Sequence, residues 1–250
     1  MVVPSDLFTK WLKPVGTPHP GVTLYGERDG ARSIGLSALK GLLVEHFVGE
    51  AMIVQAGGYA KAAAIIANSL PSNKKTRSGD LGELLATEYI NSKTSFVVPL
   101  KKLRWKSDRQ MPMHGNDVIG VDTMVKPIRV LKGECKSRAV FGKGVVDEAV
   151  MSLDLHDGRP NPSTLAFIAK RLYEEKRDDE ANVFRDLQCG GTIAAKNVTH
   201  MIFALSGNDP SKHLANGPKS KHSGIKRENA AILVSDHAAF IDAVYKTYGA

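Results

Sequence analysis

The sequence predicts a mixed α/β fold, a central sheet with helices on its faces, and three observations carry that expectation. Apolar residues recur at helical spacing over residues 31–47 and 79–90. Short β-prone runs follow at 96–100, 118–121 and 128–138, close enough in sequence to pair directly. Beyond them helices and strands alternate to the end of the chain, the order expected of strands covered by helices.

Residues 1–30 are rich in Pro and Gly, with one short strand expected over 22–25 between turns. Leu36, Leu39, Leu42, Leu43 and Phe47 mark the first helix. Residues 51–70 form an Ala- and Ile-rich helix interrupted at Gly57-Gly58 and stopped by Pro71. Its nearly continuous apolar character predicts burial, in the core or against a partner subunit. Residues 72–78 are a polar basic loop, from which Ser78 caps the helix of 79–90. Five basic residues then surround Trp105, over 101–109. After the strand of 128–138 come a helix over 145–155, a charged helical region from Asn161 or Ser163 to Leu187, and a strand over 199–205. A long loop over 208–228, a strand over 230–234 and a helix over 237–248 complete the chain. The composition shift at Pro71 divides it into an N-terminal turn-rich and helical extension, 1–71, and a core, 72–250.

Bulk composition narrows the setting. The 34 Lys and Arg exceed the 26 Asp and Glu, a net +8 that favours a polyanionic partner, most simply nucleic acid. Only two cysteines occur, Cys135 and Cys189, with no spacing that would cage zinc or frame a disulfide scaffold. No basic segment leads into a long apolar run at the N-terminus, and no window approaches a membrane span. The expectation is a cytoplasmic protein with no membrane partner.

The chemistry concentrates on the strand of 128–138. Successive strand residues alternate faces, so Glu134 and Lys136 point the same way, about 6.6 Å apart along the chain. The tripeptide Glu-x-Lys is weak alone, because Glu174-Glu175-Lys176 repeats it within a run of charges typical of a solvated helix. Setting distinguishes the first copy. Asp117 ends a turn, His114-Gly115-Asn116-Asp117, at the start of the preceding strand, and an antiparallel neighbour would bring it within about 4.8 Å of Glu134's strand. Two carboxylates so placed repel unless a cation lies between them. Mg²⁺, with Mn²⁺ as the alternative, suits such a pair and would complete its shell with water and phosphate oxygens. The competing reading is an exposed ion pair of Glu134 with Lys136 or Arg138, which is common and cheap on strands.

Asp122 has the opposite strand parity to Asp117 and is placed in the following loop. Glu83 is a third acid whose position is equivocal: it falls nearly opposite the Leu81/Leu84/Leu85 stripe, which points to solvent, yet Gly82, Ala86 and Ile90 make that face unusually apolar. His114 reads as a turn or supporting residue, with a phosphate contact or support of Asp117 as its functional alternative. Trp105, set among basic residues, reads as a strand aromatic packed in the core, with stacking on a base as the alternative. The cations of 212–227 form either a phosphate rail or a solvated loop. Phosphate-binding loops, dinucleotide fingerprints, nucleophile elbows and zinc-protease helices are absent from the sequence.

Taken together, Gly79-Asp80-Leu81-Gly82-Glu83, His114-Gly115-Asn116-Asp117 and Gly133-Glu134-Cys135-Lys136-Ser137 resemble the PD-(D/E)XK nuclease superfamily and, within it, the nuclease subunit of the Hachiman antiphage defence system. The resemblance implies a restriction-endonuclease-like sheet, metal binding by Asp117 and Glu134, a catalytic Lys136, and Glu83 as a helix-borne acid near the metal. It also implies a helicase partner that restrains the nuclease until DNA is engaged. The expected function is Mg²⁺-dependent cleavage of DNA. A stand-alone restriction or repair endonuclease, and a non-catalytic DNA-binding or helicase-regulating subunit, are the alternatives.

Overall fold

A computed structural model describes residues 7–16, 19–191, 193–246 and 248. Its centre is a six-stranded mixed sheet in the order β1-β2-β6-β5-β4-β3. The strands are β1 (Leu12–Val15), β2 (Val22–Glu27), β3 (Val118–Asp122), β4 (Arg129–Arg138), β5 (Val198–Ser206) and β6 (Lys226–Leu233). β2, β6, β5 and β4 run parallel to one another, and β1 and β3 close the two edges antiparallel. β5 is buried along its whole length, as a central parallel strand requires.

Helices cover both faces. On one side lie α1 (Arg32–Phe47), α4 (Lys74–Lys93) and α9 (His237–Lys246), which share a core with Leu131, Phe203 and Ile232 of the sheet. On the other, α5 (Lys143–Leu153) and α8 (Ser211–Asn216) pack on Ile202, Ala204 and Ala231. The pair α6 (Pro162–Glu174) and α7 (Asp178–Cys189) covers Ile119, Val121 and Val130 near the β3 edge. β4 therefore sends Leu131 toward α4 and Val130 toward α6, and this alternation decides where each residue of the Glu134 segment points. Residues on both sides of position 71 share the sheet and the largest core cluster.

The mixed α/β class and its helix-flanked sheet are as the sequence predicts, but several elements differ. Asn73 caps α4, accepting from the Lys75 and Thr76 amides, so the helix begins at Lys74 and absorbs most of the expected basic loop. Residues 96–100 make only a bridge, Val97 to Val121, and Trp105 sits in a 3-10 turn, Lys102–Trp105, rather than a strand. The charged helical region breaks into α6 and α7 at Lys176, whose φ of 62° no helix continues. α8 interrupts the expected loop of 208–228. The largest departure is at 50–69: α2 (Glu50–Gln55) and α3 (Tyr59–Ser69) have only Ile66 buried between them, while Met52, Val54 and Tyr59 are exposed. The segment is therefore not buried in the core of this chain, because the core offers it little facing surface.

Candidate functional site

The register of the β3–β4 pair builds the site. Val118 opposes Gly133 in the antiparallel ladder, so Asp117 and Glu134 form the next opposite pair, at the rim of the sheet. The Asp117 carboxylate accepts the Cys135 amide at 2.8 Å, which anchors it to β4. Glu134 is 8 % exposed; its Oε2 accepts the Ser152 hydroxyl of α5 at 2.6 Å, and its Oε1 lies 2.9 Å from Lys136 Nζ. The pair is thus enclosed between β4 and α5, which removes the exposed-ion-pair reading.

The turn before Asp117 is fixed from both sides. Gly115 adopts a φ of +98°, and a Cβ there would meet Thr164 Oγ1 at 2.3 Å, so only glycine fits. Asn116 receives the Lys102 ammonium on its carbonyl at 2.7 Å and the Asn161 amide on its side chain at 2.7 Å. His114 is exposed in this turn, as read from the sequence. Asp122 is instead the last residue of β3, not a loop residue, and pairs with Arg129 at the far end of the strand. Asp122 takes no part in the cluster.

Glu83 is not solvent-exposed. α4 is enclosed on nearly every side, so the helical wheel's second face is also interior. Glu83 approaches Asp117 from the α4 layer, opposite the face on which Glu134 lies, with Lys102 Nζ 3.3 Å from its Oε2. All three acids are raised, chiefly by burial. Burial first, and then Glu83, lift the Asp117 carboxyl from 3.8 to about 6. Burial and then Asp117 raise Glu134, and burial chiefly raises Glu83. Lys102 would lose affinity for its proton on burial, but Glu83 and Asp117 outweigh that and hold it above its ordinary value. Cys135 faces the α4 side, as expected; its thiol is pushed well up by burial and by the neighbouring acids.

The donor set fits a hard divalent cation in one respect. Asp117 and Glu134 are two carboxylates made protonation-prone by burial and by a neighbouring acid, Glu83 for Asp117 and Asp117 for Glu134, and a cation between them would relieve both. Among the described residues, no group of three or more His, Cys, Asp and Glu stands ready to hold a metal, so other ligands would be water, backbone carbonyls or phosphate oxygens. Sequence reasoning missed Ser152, Asn116 and Lys102 as positioning groups. The Ser152 contact spans 18 residues and no local pattern announces it. The second Glu-x-Lys copy behaves as a helix-end pair, Glu174 with Arg171.

Fold and site define a mixed α/β protein with an enclosed carboxylate–lysine centre at the edge of its sheet. The chain belongs to the HamA family, whose model matches residues 35–247 and so includes Glu83, Asp117, Glu134 and Lys136. It is 30 % identical over 175 residues to a Bacillus cereus protein described as "Hachiman protein HamA", a match covering 70 % of this chain and 62 % of that protein.

Proposed function

We propose that the protein is a Mg²⁺-dependent nuclease that hydrolyses DNA phosphodiester bonds, as the effector subunit of an antiphage defence complex controlled by a helicase partner. One observation carries the proposal: Asp117 and Glu134 oppose each other across β3 and β4 with Lys136 on Glu134. The resemblance to PD-(D/E)XK nucleases supports the chemistry, and the name of the Bacillus cereus relative, a Hachiman protein, supports the defence role.

Asp117 and Glu134 would hold the ion. Bound there, it would neutralise charge developing on the phosphoryl oxygens and lower the pKa of a coordinated water. The chain's own groups do the rest. The Cys135 amide fixes the Asp117 carboxylate and the Ser152 hydroxyl fixes that of Glu134, so both acids are oriented before substrate arrives. Lys136, held beside Glu134, presents its ammonium where it can orient a water or donate to a non-bridging phosphate oxygen. Glu83 keeps Lys102 charged behind Asp117.

The test is cleavage of plasmid and oligonucleotide DNA with Mg²⁺, by the chain alone and with its helicase partner, for wild type, Glu134→Gln and Lys136→Met. Each variant is expected to lose at least about 10²-fold in rate with its melting temperature retained. Equal cleavage by all three proteins would refute the assignment. The alternative of a non-catalytic DNA-binding subunit draws on Glu134 already being partnered by Lys136 and Ser152. It predicts undiminished defence in cells carrying Lys136→Met.

A further inference from the structure

A cavity of about 760 Å³ opens beside Asp117, between the segment of 102–117 and α6. Its volume is ordinary for a small-molecule site, and Trp105 and Arg171 both line it. Trp105 Nε1 and Arg171 Nε have no hydrogen-bond partner and are sealed from solvent, so a ligand's acceptor would reach them only by shifting these side chains. The Arg171 guanidinium lies 4.4 Å from the centre of the Trp105 ring and 5.3 Å from that of Phe167, which also lines the cavity. Three flat groups are thus gathered within reach of one another at the wall of a space that reaches Asp117.

A ligand suited to this wall is planar, apolar on its faces, and carries acceptors at its edge. Nucleobase carbonyls and ring nitrogens have that character, and aromatic rings and arginine planes are the surfaces on which unpaired bases stack. A base inside a duplex cannot enter, because both its faces and its pairing edge are already engaged. We propose that the cavity receives an unpaired nucleobase adjoining the phosphate held at Asp117 and Glu134, so that the substrate is single-stranded or locally unpaired DNA. This deepens the nuclease assignment and rests on it for the position of the phosphate. No base-specific contact is required, so cleavage would tolerate sequence.

The chain has two tryptophans, and Trp11 is fully buried and stacked on Phe240, so ligand-induced quenching reports on Trp105. The full-length protein is titrated in EDTA with a single strand of about 12 nucleotides, the same strand made abasic, and the blunt duplex. The single strand should quench the fluorescence and bind at least about tenfold more tightly than either competitor. Trp105→Leu and Phe167→Ala, read by anisotropy of labelled DNA, should each bring the single strand down to the abasic level without changing abasic binding. Retained melting temperatures establish that the variants are folded. Equal affinity for base-bearing and abasic strands, absent quenching, or two folded variants that bind like wild type would overturn the proposal. Quenching that persists in a protein that cuts nothing would uphold the base site and remove the nuclease assignment.

Discussion

Asp117 is held against its own chemistry. Its carboxyl, ordinarily at 3.8, stands at about 6 in the fold because burial and Glu83 oppose its charge. A carboxyl raised on folding contributes stability that is present in full below its unfolded pKa and lost as pH rises through the folded value. Asp117→Asn should therefore be more stable than wild type at pH 8 without divalent ions, by about 3 kcal/mol, with the difference closing toward pH 4. Urea titrations at the two pH values measure it. Added Mg²⁺ should then stabilise wild type and not the variant, since only a ligand that binds the folded state shifts unfolding. Parallel pH profiles for the two proteins would contradict this account. Ser152→Ala tests orientation separately: with Glu134 released from its hydroxyl, cleavage should fall about 10- to 100-fold while DNA affinity in EDTA is unchanged.

At the scale of elements, α4 is stitched to the segment after it by three enclosed ion pairs. Asp80 meets Lys106 at 2.8 Å, Glu83 meets Lys102 at 3.3 Å, and Glu88 meets Lys101 at 3.2 Å with His46 at 2.7 Å on the same oxygen. The two segments run past each other in opposite directions, each acid finding a lysine. Removing one partner of such a pair strands the other. Lys106→Met should cost about 3 kcal/mol at pH 8. Burial lifts the Asp80 carboxyl to about 6, so below that pH it can take up a proton and the cost should shrink. A destabilisation independent of pH would mean that Lys106 acts through packing alone. This ladder also explains what was legible in the sequence. β3, β4, β5 and most helices follow from periodicity, because each has a facing layer that enforces it. Glu83 was equivocal because a helical wheel assumes a wet face, and α4 has almost none. β1, four residues with a proline, falls at an edge, where neither periodicity nor full pairing is demanded. Glu134, Lys136 and Asp117 were legible because strand parity and an adjacent turn are local; Ser152 and Lys102 depend on tertiary approach.

Across the whole molecule, these pairings decide where the net charge of +8 is displayed. The segment of 101–106 is strongly basic in sequence, yet Lys101, Lys102, Arg104 and Lys106 are each matched to an acid. Lys212, Lys219, Lys221 and Lys226 are exposed, and among the described residues they and half-buried Arg227 form no ion pair. Their loop is tied to the end of α5, where Asp154 accepts the Ser220 hydroxyl and the Lys221 amide, two residues beyond Ser152. A cluster of unpaired cations thus lies at the same end of α5 that orients Glu134. If DNA reaches the site along this loop, its phosphates displace counterions there, and affinity falls with salt by about 0.7 in log–log slope for each single-strand contact. Changing Lys219, Lys221 and Lys226 together to Gln should reduce that slope by about 2 and leave the melting temperature within a degree or so, because the three side chains are exposed. Lys101→Gln should do the reverse, lowering stability with little change in slope. A slope unchanged by the triple substitution would place the DNA path elsewhere on the surface.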